Sequence, residues 1–268
     1  MQIFDTHYHL NLEPLTSQWP QYHDQAMECG VVGGLIVGTD ETSNQSAIEI
    51  ASQSPSLFAC VGIHPENLSK ITSLSDSIAE LSKLLDQPKV VAIGEAGLDY
   101  YRLDEAARAA QRAAQHDLLV AQIILAKQYQ LPLVLHVRDD RDEAYQEVLE
   151  LIEQHWNFQT SLIFHCVSGP LSYIDTAMHW QNTYFGFDGN LTFKNAENLR
   201  EIFRFVQAYD DSRILLETDA PFLAPMPHRG KVCEPAMIVD TAIFAKEQLG
   251  ANLAKIYQNS LQAFKLKL

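Results

Sequence analysis

The feature that most narrows the fold is an alternation. Eight short apolar runs recur along the chain: Gln2–Phe4, Val31–Val37, Leu57–Ile63, Val90–Ile93, Leu133–Leu135, Ser161–Phe164, Thr183–Phe187 and Arg213–Leu216. Each is rich in Val, Ile, Leu or Phe and too short for a helix, as expected of strands covered on both faces. Most are followed by a stretch with helical spacing, clearest in Asp76–Leu85, Glu105–Tyr129, Arg141–Gln154 and Asn195–Tyr209, with Ser75 and Asn195 as helix-start residues. Eight strands alternating with helices is the count of an α/β (β/α)8 TIM barrel, and 268 residues suits that fold's roughly 250. An open doubly wound sheet would usually carry a glycine-rich turn after its first strand. The first run leads instead into Asp5-Thr6-His7-Tyr8-His9. No linker, low-complexity tract or repeat interrupts the chain, so residues 1–268 are expected to form one domain.

A chain of this length buries roughly 73 % of its unfolded surface and needs no staples. With 47 % apolar and 20 % charged residues, disorder and fibrous folds are excluded. No apolar run reaches the roughly 18 residues of a spanning helix, and no basic-then-apolar leader opens the chain. Cys29, Cys60, Cys166 and Cys233 are far apart, which supports neither a disulfide framework nor a thiolate zinc site. A cytoplasmic protein without membrane association is expected. Lys plus Arg number 19 against 34 Asp plus Glu, a formal charge of −15, which argues against a broad basic surface for nucleic acid. A polyanionic substrate stays possible if bound cations reverse the sign inside a cleft.

A barrel places its chemistry at the C-terminal ends of several strands. The first run leads to His7 and His9, alternate residues that share a face in an extended segment. The third leads to His64, the fourth to Glu95 and Asp99, the fifth to His136 and Arg138, the sixth to His165, and the eighth to Glu217 and Asp219. Singly, each has an ordinary explanation as a hydrogen-bonded core residue or a turn cap. Together, His7, His9, Glu95, His136, His165 and Asp219 would crowd four imidazoles and two carboxylates around one mouth. Such a cluster is costly without a cation to share. The mixed nitrogen and oxygen donors suit Zn²⁺, Mn²⁺, Co²⁺ or Fe²⁺ better than Ca²⁺. Glu95, on a central strand, is the natural bridge between two cations. Two divalent cations against two carboxylates leave a formal +2, which would acidify a water toward a pKa of about 7. Hydrolysis is therefore favoured over redox chemistry.

In these residues the chain resembles the TatD-related metal-dependent deoxyribonucleases, within the amidohydrolase-like barrels. The most specific stretches are Ile93-Gly94-Glu95-Ala96-Gly97-Leu98-Asp99-Tyr100-Tyr101, Phe164-His165-Cys166-Val167-Ser168-Gly169 and Leu215-Leu216-Glu217-Thr218-Asp219-Ala220-Pro221-Phe222-Leu223. The resemblance implies one cation held by His7, His9 and Asp219, a second by His136 and His165, and Glu95 shared between them. It implies phosphodiester hydrolysis in DNA, from 3′ ends of single strands, supported by two divalent ions such as Mg²⁺, Mn²⁺ or Zn²⁺. His64 would face the substrate or the departing oxygen, and Arg138 and Arg229 would contact phosphate. The chain departs from the family pattern at Cys233-Glu234-Pro235, where Asn-Glu-Pro is usual, at Asp188 in Gly186-Phe187-Asp188-Gly189, and at Asp140, between Asp139 and Arg141, where a small residue is usual. An ionised Asp188 would weaken anion binding.

Asp219 is the expected general base, assisted by Glu95 as the bridge, with His64 as partner to the leaving oxygen. Glu217 reads as support one layer deeper, and Asp5 as a brace for a ligand imidazole through its second nitrogen. Asp99 and Tyr100 read as loop-fixing hydrogen bonders, and His23, His116, His155 and His179 as solvated. His228 has a weak claim on substrate, and Phe193 or Tyr100 could stack on a base. A monomer is expected. Two rival functions remain: a dinuclear hydrolase of a small amide, lactone or phosphoester, and a barrel that has lost turnover. Glu95 must lie within a few ångströms of both His7 and His136 for any dinuclear reading to stand.

Overall fold

All eight apolar runs are strands in the computed structural model, which describes residues 1–268: β1 Ile3–Tyr8, β2 Val31–Val37, β3 Leu57–Val61, β4 Val90–Asp99, β5 Leu133–Arg138, β6 Leu162–Phe164, β7 Thr183–Phe187 and β8 Ile214–Leu216. They pair in sequence order from β1 to β8, each with its neighbour in parallel. Between and after them run nine helices: α1 Trp19–Glu28, α2 Glu41–Ala51, α3 Leu74–Leu84, α4 Arg108–Tyr129, α5 Glu143–His155, α6 Leu171–Met178, α7 Glu197–Asp210, α8 Ile238–Leu249 and α9 Leu253–Ala263. This is a (β/α)8 barrel. No helix is long and apolar enough to cross a membrane. All four cysteines are free.

The apolar residues divide into two clusters. The smaller takes Phe4, Leu35, Val37, Cys60, Ala92, Val134, Ile163, Tyr184 and Leu215 from the eight strands, with Tyr257, Ala263 and Phe264 of the α9 region beside them. One residue or more per strand, at alternating positions, is the signature of a filled barrel interior. The larger cluster packs the outer strand faces against the helices.

Helix starts differ from the sequence expectation at two places. Ser73, not Ser75, caps α3, its Oγ accepting from the Asp76 amide at 3.3 Å, because Ser75 already lies in the first turn. Asn195 lies one residue outside the Ala196 cap of α7, which has no side-chain cap bond. Several strands also run further than their apolar runs. β4 continues through Gly94-Glu95 to Asp99, and β5 through His136 to Arg138. Polar ligand candidates here occupy strand positions that apolarity alone does not mark.

The barrel is joined between β8 and β1 by a seam of mixed bonds. The Asp219 amide donates to His7 O at 2.9 Å, and the His9 amide to Ala220 O at 2.7 Å. Deeper, fully buried Asp5 accepts from the Thr218 amide (3.1 Å), the Thr218 hydroxyl (2.7 Å) and the His7 amide (3.2 Å). Asp5 thus braces the backbone on both sides of the seam rather than the His7 ring, contrary to the sequence expectation. Its geometry puts two ends of the chain in register.

Three buried amide side chains hold the strand ends from the helix layer. Asn44 of α2 donates to Gly62 O (2.8 Å) and accepts from the Gly62 amide (3.0 Å). Gln122 of α4 does the same for Ile63 (3.0 and 2.8 Å), and Gln115 for Asp99 (2.8 and 2.8 Å). Each satisfies a donor and an acceptor where the strand ladder runs out, a requirement of buried backbone. Gln122→Leu keeps the bulk but leaves both Ile63 groups unpaired, at about 1–3 kcal/mol each. Urea unfolding of this variant should therefore lose roughly 2–6 kcal/mol; an unchanged midpoint would show that Ile63 finds other partners.

Candidate metal centre

Strict alternation would not aim all six ligand candidates inward. Phe4 faces the interior while Ile3 and Tyr8 face the helices, and the β1–β2 register shifts between Asp5 and Tyr8. That shift turns His7, and beyond it His9, into the mouth. In β4, Ala92 faces in while Ile93, Ala96 and Leu98 face out, with a register shift between Ile93 and Ala96. The irregularity turns Glu95 inward, as bulges do at functional sites. His136 and His165 follow the regular pattern from Val134 and Ile163. Asp219 follows β8 in a left-handed conformation, φ +56°, which Asp tolerates better than most residues.

Glu95 lies at the centre. Its Oε1 is 3.3 Å from His7 Nε2 and 3.5 Å from His9 Nε2, while its Oε2 is 3.3 Å from His136 Nδ1, 3.8 Å from His64 Nε2 and 3.9 Å from His165 Nε2. Asp219 Oδ1 is 3.3 Å from His9 Nε2, 3.7 Å from His165 Nε2 and 4.0 Å from His7 Nε2. All six candidates therefore meet, and each Glu95 oxygen addresses its own set of imidazoles. His165 lies between the two sets, with its ring stacked on His7 at 3.4 Å between centroids.

The ring nitrogens turned away from the centre decide what each imidazole can do. His9 Nδ1 donates to Val37 O at 2.8 Å. His165 Nδ1 donates to Glu217 at 2.8 Å, and His136 Nε2 to Asp99 at 3.1 Å. A neutral imidazole so engaged presents a lone pair to the centre, which is the ligating tautomer. His64 is wired the opposite way. Its Nδ1 accepts the Glu66 amide at 3.1 Å, so neutral His64 carries its proton on Nε2 and points a donor at Glu95. It can group with Glu95 and His136 by distance, but its tautomer makes it a hydrogen-bond donor. Both ring nitrogens of fully buried His7 lack a hydrogen-bond partner. Buried polar atoms are rarely left so, and ligand atoms 3.3–4.0 Å apart suit a shared cation with bonds of about 2.0–2.2 Å. The residues fit divalent cations.

Electrostatics agree. Burial favours the neutral carboxyl of Glu95, yet His7 and His136 outweigh it and hold the group well below its usual range. Burial likewise opposes a charge on His165, but Glu217 and Asp219 push it up to about 10; Asp99 and Glu95 push His136 to about 9. His64, desolvated and beside His136, falls to about 3 and stays neutral.

Sequence reasoning undervalued Asp99, which orients His136 as well as accepting the Tyr101 amide at 3.0 Å. Glu217 is the expected deeper support, and Gly186 leaves room for it: a Cβ there would meet the Glu217 carboxylate at 2.4 Å. Tyr100 cannot stack on a base, since it is buried and donates to Glu147 at 2.6 Å. His116 is not simply solvated but bonds Tyr100 and Glu147. His23 meets Ser54 at 3.3 Å, and His228 lies 3.3 Å from Asp240. Exposed Arg138 and Arg229 stand at the rim, over the rings of Tyr101 (4.1 Å) and Phe193 (4.2 Å).

The family departures leave the six ligand candidates intact. Cys233 is buried, and the Asp139 carboxylate accepts the Ala144 amide at 2.9 Å near the start of α5. Asp188 is 1 % exposed with neither oxygen hydrogen-bonded, and burial, then Glu217 and Asp219, drive it toward its neutral form.

A family model described as TatD related DNase matches residues 4–266. An uncharacterized metal-dependent hydrolase of Mycoplasma pneumoniae is 34 % identical over 96 % of this chain and 96 % of its own length. The Salmonella typhimurium protein named 3′-5′ ssDNA/RNA exonuclease TatD is 31 % identical over 75 % of this chain and 72 % of its own. The crystal structure of YjjV, a TatD homologue from Escherichia coli, superposes with a TM-score of 0.82 at 24 % identity, covering 99 % and 98 % of the two chains.

Two expectations test the centre. Ligation takes the protons that His136 and His165 hold at neutral pH, so metal affinity should climb as pH rises from 6 toward the raised values of about 9 and about 10. Calorimetry of metal-free protein with Mn²⁺ or Zn²⁺, in buffers of different ionisation enthalpy, should count about two protons released near pH 7. In the second test, Gly186→Ala, by displacing Glu217 from His165, should weaken metal binding about 10–100-fold.

Proposed function

The chain belongs to the TatD-related DNase family of metal-dependent hydrolases, and on that premise we propose that it hydrolyses phosphodiester bonds of single-stranded DNA from the 3′ end, using two divalent cations. The observation that carries the reading is the division of Glu95, with one oxygen toward His7 and His9 and the other toward His136, His64 and His165. A carboxylate shared in this way is what a dinuclear site requires. His7, His9 and Asp219 would hold one cation, and His136 and His165 the other. When bound, the cations supply Lewis acidity, neutralising phosphate oxygens and lowering the pKa of the attacking water.

The chain's own groups do the rest. Asp219, kept ionised by His9 against the effect of burial, is placed to take the proton of the attacking water. His64 holds its proton on Nε2 and is the donor that can meet the departing oxygen. That tautomer is fixed by a backbone amide, so it needs no reorganisation during the reaction. Arg138 and Arg229 offer planar guanidinium forks to phosphates flanking the scissile one.

The deciding experiment is digestion of 3′- and 5′-labelled single strands with Mg²⁺, Mn²⁺ or Zn²⁺ and a chelator control. Cleavage should require the cation, and Asp219→Asn should lower kcat by about 10²–10⁴ while the circular dichroism spectrum is unchanged. Protein that binds metal yet leaves every strand intact and hydrolyses a lactone or amide would place it among small-molecule hydrolases.

A further inference from the structure

The aromatic side chains around the mouth differ in what they have to offer. Tyr100 is buried, and Tyr101 and Phe193 each have a guanidinium on a ring face. Phe222 is different. It is 52 % exposed, only three residues beyond Asp219, and its amide donates to Asp219 O at 2.8 Å. Its ring meets His9 edge-on, with centroids 6.1 Å apart and planes at 72°. The segment 220–232 that carries it also exposes Met226 and Val232, and its only charged residues apart from His228 are Arg229 and Lys231. In a chain of formal charge −15, a mouth segment with cations, an open aromatic ring and no acid is a local reversal.

We propose that Phe222 is the stacking platform for the base of the nucleotide next to the phosphate being cleaved, so that the site takes an unpaired nucleotide whatever its sequence. The inference rests on the phosphodiesterase reading above and adds the residue that would receive the unpaired base. A ring beside the metal centre can receive a π-face, whereas a base paired within a duplex has its faces covered by its neighbours. Stacking tolerates every base, and removing one such contact weakens binding by about 1–3 kcal/mol, a factor of roughly 5–150. Arg229 and Lys231 on the same segment, with Arg138 at the end of β5, offer cations to the backbone of such a strand.

The test is fluorescence anisotropy with a 5′-labelled phosphorothioate oligothymidylate in Mg²⁺, which measures binding without turnover. Phe222→Ala and Phe222→Leu should each weaken binding about tenfold, Leu failing because it restores apolar bulk without a ring face, while Phe222→Trp should bind at least as well as the native protein. Abasic substitutions are then placed singly at the last three nucleotides. At one of them the native protein and Phe222→Ala should bind alike. If Phe222→Ala binds the intact strand like the native protein, or loses the same factor on every abasic strand, the platform assignment falls and the phosphodiesterase reading survives. If the native protein neither binds nor cleaves any single strand, that reading falls and this one with it.

Discussion

The Asp5 carboxylate is the contact on which the architecture turns. It sits fully buried where the last strand meets the first, and it takes hydrogen bonds from both: the Thr218 amide and hydroxyl on one side, the His7 amide on the other. Chain positions more than two hundred residues apart are thereby fixed to within a hydrogen bond's tolerance. Above that contact the Asp219 amide reaches His7 O, and the His9 amide reaches Ala220 O. The same bonds that join the barrel set three ligand candidates beside one another. Burial outweighs its three donors and, with Glu217 nearby, raises the Asp5 carboxyl well above its usual range. Few groups combine so much structural consequence with so little exposure.

From that seam the centre is assembled by two kinds of support. Partners behind the rings choose which nitrogen faces inward: Val37 O for His9, Glu217 for His165, Asp99 for His136. The Glu66 amide makes the opposite choice for His64. One backbone hydrogen bond thus separates a proton donor from neighbours whose tautomer leaves a lone pair for a cation, although all are histidines at strand ends. Paired amides from α2 and α4 anchor the strand ends beneath. Metal-dependent hydrolysis, the chemistry of this family, needs both, since a ligand with the wrong tautomer or a displaced strand end cannot serve.

Periodicity made the barrel legible, because buried parallel strands are continuous apolar runs and eight of them have few ways to pair. The ligand types were legible too, since histidine and acid at successive strand ends have no common structural explanation. Direction was not. Strict alternation from Phe4 or Ala92 would turn His7 and Glu95 away from the interior, and the register shifts that correct this leave no mark in composition. Nor do Gln115 and Gln122 stand out within a long helix, because their partners are backbone groups distant in sequence. Asp99 looked like a loop residue because its strand continues past the apolar run into polar positions. Tyr100 is the hydrogen bonder expected, but adjacent sequence does not reveal its partner Glu147, so stacking on a base stayed open beside that reading. These misses share a cause: a side chain's role was set by a long-range neighbour.

Asp219 is held from behind, by a backbone bond to β1, while the segment that follows it is anchored at buried Ala224 and Pro225 and leaves Phe222, Met226, Arg229 and Val232 exposed. On the proposed function, reactivity and selectivity would fall to adjoining stretches with different mechanical constraints. Phe222 is tied to that carboxylate's own backbone, whereas residues 229–232 are exposed throughout. A barrel organised in this way can change its clientele by grafting one loop and keep its chemistry intact.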